Sequence, residues 1–420
     1  MGMKFIADLH IHSKYSRAVS KNMVPEELDR WADDKGILVM GTGDFTHPGW
    51  FKELKEKLEP AESGLFRLKS QFKLKTIKDT FADTRFLLTV EISCIYSRAG
   101  KTRRVHNIVM VPDFETAEKI NTQLGWVGKL ASDGRPILGL DSEELAKIVF
   151  NTNPEAVLVP AHVWTPWFSV FGSMSGFDSL EECFGNYTNK IFAVETGLSS
   201  DPLMNWRVPA LDKIALISNS DSHSLQRIGR EANVFNTELS YKGIMDAIKN
   251  GNPSRNSGRL SRFIGTIEFF PEEGKYHYDG HRACEVVLAP SETKQYKGIC
   301  PKCKKPLTIG VVNRVDKLAA ADRPEGYRDP KRVPYKNLVT LDSIIGEALD
   351  VGKATKSVKK EYDKLIKTFQ SEFNILLDAP IKEIALASKP EIAEGVDRMR
   401  QGKLTIQPGY DGEFGVIKIF

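Results

Sequence analysis

Phe5, Ala7, Leu9 and Ile11 alternate with Ile6, Asp8, His10 and His12, a two-residue period that predicts a β-strand. Alternation sets Asp8, His10 and His12 on the same side of the backbone. Three metal-competent side chains within a few ångströms make a poor core and a good seat for a divalent cation. A polar face on an edge strand is the alternative. Two alternating histidines beside a carboxylate favour the metal.

The rest of the first 250 residues repeats this grammar. Pro25 opens a helix that Gly36 ends, and Ile37–Met40 is an apolar strand running into Gly43-Asp44. Trp50–Leu58 reads as a charged helix. Phe86–Ser93 and Val105–Val111 read as strands, and Asp141 caps a helix over Ser142–Phe150. Strand ends follow at Ala156–His162, Ile191–Glu195 and Ile214–Ser218, and Tyr241–Lys249 is a helix stopped by Gly251. Apolar strands alternating with helices predict an α/β domain with a largely parallel sheet. Asp44, Glu91, His162, Glu195, Asp221 and His223 each follow such a strand, which predicts that they meet at one face, as in an α/β-barrel active site.

These residues carry a resemblance. Asp8-Leu9-His10-Ile11-His12-Ser13, the Gly43-Asp44 turn, Glu91, His106, His162 and Asp221-Ser222-His223 are similar to the successive motifs of the polymerase and histidinol phosphatase (PHP) family of phosphoesterases, over about residues 3 to 250. The resemblance implies a distorted (β/α)7 barrel holding two or three divalent ions (Mg, Mn or Zn). His10, His12, Glu91 and Asp221 would hold one ion and Glu91, His106 and His162 another, with Glu91 as the bridge. Asp44 and His223 would complete the cluster, and Asp8 would orient His10 or His12. The family's usual histidine after the turn aspartate is Phe45 here, so the ion count stays open, with His47 and Glu195 as further candidate ligands.

Two later stretches extend the reading. The loop after His162 carries Trp164, Trp167, Phe168, Phe171, Gly172, Ser173 and Phe177. It is either a staple packing the barrel mouth or a pocket that stacks a base, with glycine admitting the base edge to the backbone; its place beside a candidate ligand favours the pocket. His281-Arg282-Ala283-Cys284 and Cys300-Pro301-Lys302-Cys303 have the paired spacing of a structural Cys3His zinc site, with His277 a competing fourth ligand. Cys94 and Cys183 read as small buried hydrophobes.

From about residue 324 a Pro- and Arg-rich linker leads into helices over Leu341–Val351, Val358–Phe369, Ile381–Ser388 and Pro390–Arg400, and a closing turn and strand. The predicted divisions are a barrel over 1–260, a zinc-binding domain over 261–323 and a basic linker with a helical domain over 324–420. That order, with Leu307–Val311 and Gly409-Tyr410-Asp411-Gly412, resembles the endonuclease Q family over essentially the whole chain. The resemblance implies cleavage of DNA 5′ to deaminated bases (uracil, hypoxanthine, xanthine) and abasic sites.

Charge agrees with a nucleic-acid partner. The formal net charge is +4, and between Lys294 and Lys336 there are 12 basic residues against 4 acidic ones, the footprint of an anionic partner or of a solvated face. No apolar run reaches bilayer length and no signal-peptide core is present. A monomeric, cytoplasmic, nucleoid-associated protein is the expectation. No QxxLxxFF-type motif for a sliding clamp occurs; such a contact would need a longer tail. A small-molecule phosphoesterase of the histidinol phosphatase type is the rival reading. It needs the same cluster but neither the zinc site nor the basic segment.

Overall fold

The computed structural model describes residues 2–251 and 262–420; the boundary expected near residue 260 lies outside them. The fold is mixed α/β. In chain order the elements that position the site are β1 (Met3–Asp8), α1 (Pro25–Lys35), β2 (Val39–Gly41), α2 (Pro48–Lys57), β3 (Arg85–Arg98) and β4 (Lys101–Val111). They continue with α3 (Phe114–Gly125), α4 (Ser142–Thr152), β5 (Val157–Pro160), β6 (Ala193–Glu195), β7 (Ala215–Ile217), β8 (Ala232–Thr237) and α5 (Tyr241–Asn250).

β1 pairs in parallel with β2, which pairs in parallel with β3. β3 and β4 form a long antiparallel hairpin, and β4 pairs with β5. β6 and β7 form a separate parallel pair, and β8 runs antiparallel to β1. Two joins lack a full ladder. The Val163 N–H donates to the Glu195 carbonyl between β5 and β6. Between β7 and β8 the Asn233 side chain spans both, accepting from the Ser218 N–H and donating to the Ser218 carbonyl. Ala7, Val39, Leu87, Ile108, Met110, Val157, Val159, Ala193, Ala215, Ile217 and Phe235 point into one shared apolar cluster. The alternation seen in the sequence is thus the inward and outward period of these strands.

The regular part of β1 ends at Asp8. His10 and His12 lie beyond it on an extended tail that Ile11 holds by a single bridge to Ser222. Gly36 ends α1 in the left-handed conformation, with φ of 89°, as its position past the last polar turn predicts.

The Pro/Arg-rich segment is no free linker. β9 (Arg262–Glu268) adds antiparallel to β8, and β10 (Tyr335–Asn337) adds in parallel to β9, so residues 335–337 are part of the main sheet. α6 (Leu341–Ala348), α7 (Lys356–Phe369), α8 (Ile381–Ala387) and α9 (Pro390–Arg400) follow. Their apolar faces join the main core. A buried ion pair, Lys35 Nζ to Glu372 Oε2 at 2.5 Å, ties them to α1. Glu372 also accepts from the Tyr362 hydroxyl and the Leu341 N–H, so the charge is paired and hydrogen-bonded at once, as a buried carboxylate requires. Among the described residues, no helix is long and apolar enough to cross a membrane.

Candidate metal centre

The strand ends deliver two groups of ligand-type side chains. His10, His12 and Asp221 form one; Glu91, His106 and His162 form the other; within each group one ligand atom per residue lies within 4.8 Å of the rest. His12 Nε2 is 3.1 Å and His10 Nε2 is 3.8 Å from Asp221 Oδ1. Glu91 joins the two groups. Its Oε1 is 2.8 Å from His106 Nδ1 and 2.8 Å from His162 Nε2, while its Oε2 is 3.4 Å from His12 Nε2.

Three atoms test whether a cation belongs here. His10 Nε2, His12 Nε2 and Asp221 Oδ1 are all buried without a hydrogen-bond partner. Orphaned polar atoms are costly, and three that face one point fit a cation. Burial also pushes His106 down to about 4, whereas for His10, His12 and His162 the carboxylates beside them outweigh burial and push the imidazoles up. Asp44, His162 and Asp221 all adopt positive φ (54°, 29° and 45°), backbone strain of the kind functional sites hold.

The other ring nitrogens are fixed by neighbours, which aims each imidazole. His10 Nδ1 lies 3.0 Å from Glu195 Oε1, and Glu195 also accepts from the Asn219 amide and the His162 N–H. His12 Nδ1 lies 3.1 Å from Asp44 Oδ1. His106 Nε2 meets Ser93 Oγ at 3.1 Å, and His162 Nδ1 meets Thr165 Oγ1 at 3.2 Å.

Several expected roles are reassigned by these contacts. Asp8 orients neither histidine: it accepts from the N–H groups of Ser220 and Gly229, each at 3.0 Å, and so clamps the loop that carries Asp221. Asp44 does not complete the ligand set, because its Oδ2 accepts from the Ser13 N–H and the Ser13 and Ser16 hydroxyls while Oδ1 faces His12. Burial pushes Asp44 up, but those bonds outweigh it and hold the carboxyl below its ordinary range. Gly43 permits this turn, with φ of 61° and Ile11's carbonyl where a Cβ would sit. His223 packs against His12, ring centres 4.7 Å apart, outside both groups. His47 caps α2, its Nδ1 accepting from the Trp50 N–H, stacks on Tyr15 at 4.2 Å and lies outside both groups. Glu195 is an orienting carboxylate.

A cavity of about 310 Å³ opens above the two groups, lined by His106, His162, Arg135, Ile137, Trp167 and Phe168 among others. Here the aromatic loop divides. Trp164 and Phe171 are fully buried, their rings 5.0 Å apart, and Trp164 donates to Asn205, so neither is free to stack on a ligand. Gly172 is also buried, with the Thr165 and Pro166 carbonyls against it. Trp167 and Ser173 are exposed and Phe168 half-buried. The loop is a staple at its root and an open wall at its rim. Arg135, which no motif marked, donates from Nη1 to Glu91 Oε2 at 3.1 Å. It sits in an irregular loop with no periodicity around it; the one signal was its place just before the short strand Ile137–Leu138 that joins β3.

The basic segment also divides. Arg323 grips Asp212 with both terminal nitrogens, Arg332 adds a third bond to Asp212, and Arg314 binds Asp178 and the carbonyls of Phe171 and Phe177. These arginines brace the fold. Lys297, Lys302, Lys304, Lys305, Lys331 and Lys336 stay exposed.

His281, Cys284, Cys300 and Cys303 form a third group within 4.8 Å, on a small hairpin pairing Asp279–His281 with Val286–Leu288. Cys300, Val286, Leu288 and Leu307 make its own tiny core. His277 stays out of the group and packs on Tyr278. Cys94 and Cys183 are buried, as expected.

Two ligand groups sharing one carboxylate at the open end of an α/β strand array define a metal-dependent phosphoesterase. Comparison with known proteins narrows the class. The crystal structure of the lesion-specific endonuclease PfuEndoQ from Pyrococcus furiosus superposes with a TM-score of 0.84 and 31% identity, covering 99% of this chain and 95% of that one. A structure of endonuclease Q with a 27-mer duplex carrying an abasic lesion at its active site gives 0.83 and 31%, covering 100% and 97%. The chain belongs to the endonuclease Q family. Residues 340–403 match the MJ0043 C-terminal domain family. The uncharacterised protein MJ0043 of Methanocaldococcus jannaschii is 33% identical over 257 residues, which span 60% of this chain and 31% of that protein.

Proposed function

We propose that the protein is a metal-dependent DNA repair endonuclease that cuts the phosphodiester bond 5′ to deaminated bases (uracil, hypoxanthine, xanthine) and abasic sites. The observation that carries this reading is Glu91, whose two oxygens face two ligand groups at the floor of an aromatic-rimmed cavity. The strands around the shared apolar cluster are read as the distorted (β/α)7 barrel of PHP enzymes.

His10, His12 and Asp221 would hold one cation, and His106 and His162 another, with Glu91 between them. Bound divalent ions would polarise the scissile phosphate and make a hydroxide nucleophile available near neutral pH. The chain's own residues do the rest. Glu195 and Asp44 aim His10 and His12, Asp8 holds the Asp221 loop, and Arg135 presents a fixed cation toward phosphate charge. Trp167 and Phe168 offer a wall against which an extruded nucleotide can rest, since a lesion edge is hard to inspect inside a duplex. A structural zinc held by His281, Cys284, Cys300 and Cys303 would leave no open coordination position, as suits a folding role. Exposed lysines from Lys297 to Lys336 supply salt-sensitive contacts to the backbone. A DNA substrate of this kind supports a reading of the protein as acting inside the cell, with the nucleoid.

The test is cleavage of otherwise identical oligonucleotides carrying uracil, hypoxanthine, an abasic site or no lesion, with manganese or magnesium. p-Nitrophenyl phosphate serves as the small-substrate control. Lesion-dependent strand cleavage is expected. Phosphate release from the small ester without any strand cleavage would transfer the protein to the small-molecule phosphoesterases.

A further inference from the structure

The segment between α3 and the Ile137–Leu138 strand leaves three large apolar side chains in solvent. Trp126 is 80% exposed, Val127 40% and Ile137 56%. Isolated exposed apolar residues are ordinary; three on one prominence, one of them tryptophan, mark a contact surface. Of the three, Ile137 also lines the metal cavity, together with Arg135 from the same segment. Gly128, two residues past Trp126, lies so close to Leu138 that a Cβ there would be 2.6 Å from its methyl. The Trp126–Gly128 turn therefore rests directly on the strand that lines the site.

The segment is also rigid where it meets the centre. Ser93 donates to the Pro136 carbonyl, and the Gly134 N–H donates to the Tyr15 carbonyl. Asp133 accepts from the N–H groups of Arg17 and Arg135. Gly134 is pressed against Asp44 and Ser16, with no room for a side chain, and Asp44 is the carboxylate that aims His12. An apolar knob is thus held at a fixed offset from the ligand groups. Lys129, exposed three residues past Trp126, and Arg17, exposed and 3.8 Å from Asp133, add positive charge to the same segment, which suits a partner that is apolar inside and anionic outside.

Resting on the nuclease reading above, we propose that Trp126, with Val127 and Ile137 behind it, is a wedge against the base stack of duplex DNA. It would enter the gap left when the nucleotide at the cleavage site turns into the cavity. A duplex offers an apolar stack edged by phosphates, the pattern the prominence carries. Apolar side chains inserted at a base step stabilise an unstacked duplex in this way. The wedge touches paired DNA alone. Its loss must therefore penalise opening of a duplex and spare a strand already open.

The experiment compares wild type, Trp126→Ala and Trp126→Phe on one uracil-containing strand. The strand is fully paired in one substrate and sits within a five-nucleotide unpaired bubble around the lesion in the other. Trp126→Ala should cut the paired substrate about tenfold to a hundredfold more slowly, the range for loss of one base-stacking aromatic. It should cut the bubble within about twofold of wild type on the same footing. Trp126→Phe should retain most activity on both. Affinities read by fluorescence anisotropy in EDTA should show the same contrast, independent of bound metal. Thermal unfolding should be unchanged, because the indole is in solvent. Unchanged cleavage of the paired substrate overturns the wedge. So does an equal loss on both substrates, which makes Trp126 a general strand contact. Wild-type protein that cuts neither substrate overturns the nuclease reading, and the inference with it.

Discussion

Arg135 Nη1 lies 3.1 Å from Glu91 Oε2, the oxygen that also faces His12. A cation held by His12 and Glu91 would therefore have to share this carboxylate with the guanidinium, which also lines the cavity in which a phosphate would sit. Arg135→Ala should bind manganese as tightly as wild type or more tightly, followed by paramagnetic resonance titration. Single-turnover cleavage of lesion DNA should fall about a hundredfold, the cost of losing one preorganised donor to developing charge. Weaker manganese binding together with unchanged cleavage would remove Arg135 from the phosphate.

Glu91 is the one side chain shared by both ligand groups, so its loss should empty two positions at once. Glu91→Gln is expected to lower the divalent metal bound at the two groups and to reduce cleavage by about a thousandfold, given several kcal/mol of metal assistance. Binding of undamaged duplex, carried by exposed lysines, should persist and stay steeply salt-dependent. Metal analysis after desalting, with anisotropy binding alongside, checks both halves.

The aromatic loop makes a prediction that separates its root from its rim. Phe171 is fully buried against Trp164; Phe171→Ala should cost about 3–5 kcal/mol of stability. Trp167 is exposed at 39% and lines the cavity. Trp167→Ala should leave stability unchanged and weaken lesion cleavage by about tenfold to a hundredfold. Urea unfolding curves and cleavage rates, taken on the same two variants, decide it; a reversal of the two effects would refute the assignment.

The contrast shows what a sequence can carry. His10, His12, Glu91, His162 and Asp221, which the structure brings together, stood out because ligand chemistry needs particular side chains and apolar strands announce where they will be delivered; His106 entered only with the family resemblance. Glu91 as the shared residue followed from the ligand sets that the resemblance implied together with the two oxygens of a carboxylate. The roles of Asp8 and Asp44 were not legible. Which carboxylate aims which histidine depends on backbone turns such as Gly43-Asp44, whose left-handed angles leave little trace in composition. An aromatic run reads the same whether a ring faces in or out, so Trp164 and Phe171 could not be told from Trp167. Charge counting failed at Arg314, Arg323 and Arg332 for a related reason: arginine braces carbonyls and carboxylates inside a fold as readily as it meets phosphate. The pairing of residues 335–337 with the main sheet was not legible because β10 is three residues long and needs β9 to exist.

The Cys3His group should behave as a folding element. Its hairpin has only four buried apolar members, too few to stand without a cross-link. If the group holds zinc, Cys300→Ser should lower the melting temperature of the protein and release one equivalent of it, with divalent metal at the Glu91 groups retained. A chelator-resistant, zinc-free protein of unchanged melting behaviour would exclude a structural ion.

Glu268 and Glu231 are both fully buried and belong to neither ligand group. Glu268 Oε2 accepts from the hydroxyls of Thr196 and Ser218 at 2.9 and 3.1 Å, while Oε1 has no partner. Burial, with the charge of Asp201 adding to it, pushes Glu268 up to about 8, and burial with Glu268 beside it pushes Glu231 well up too. The native state thus keeps a proton that the unfolded chain releases near its ordinary carboxyl range. Between about pH 4.5 and pH 8 the unfolded state binds fewer protons, so stability should fall as pH rises through that window and level off above it. Glu268→Gln keeps an acceptor for the two hydroxyls and removes the ionisation. Its stability should match wild type near pH 5 and exceed it at pH 8 by on the order of a few kcal/mol. Urea unfolding of both proteins from pH 5 to 8 measures the difference directly, and taking that difference cancels the titration of the ligand histidines and cysteines. Parallel curves would mean that Glu268 is already ionised in the native state, stabilised by a partner that the contacts around it do not supply.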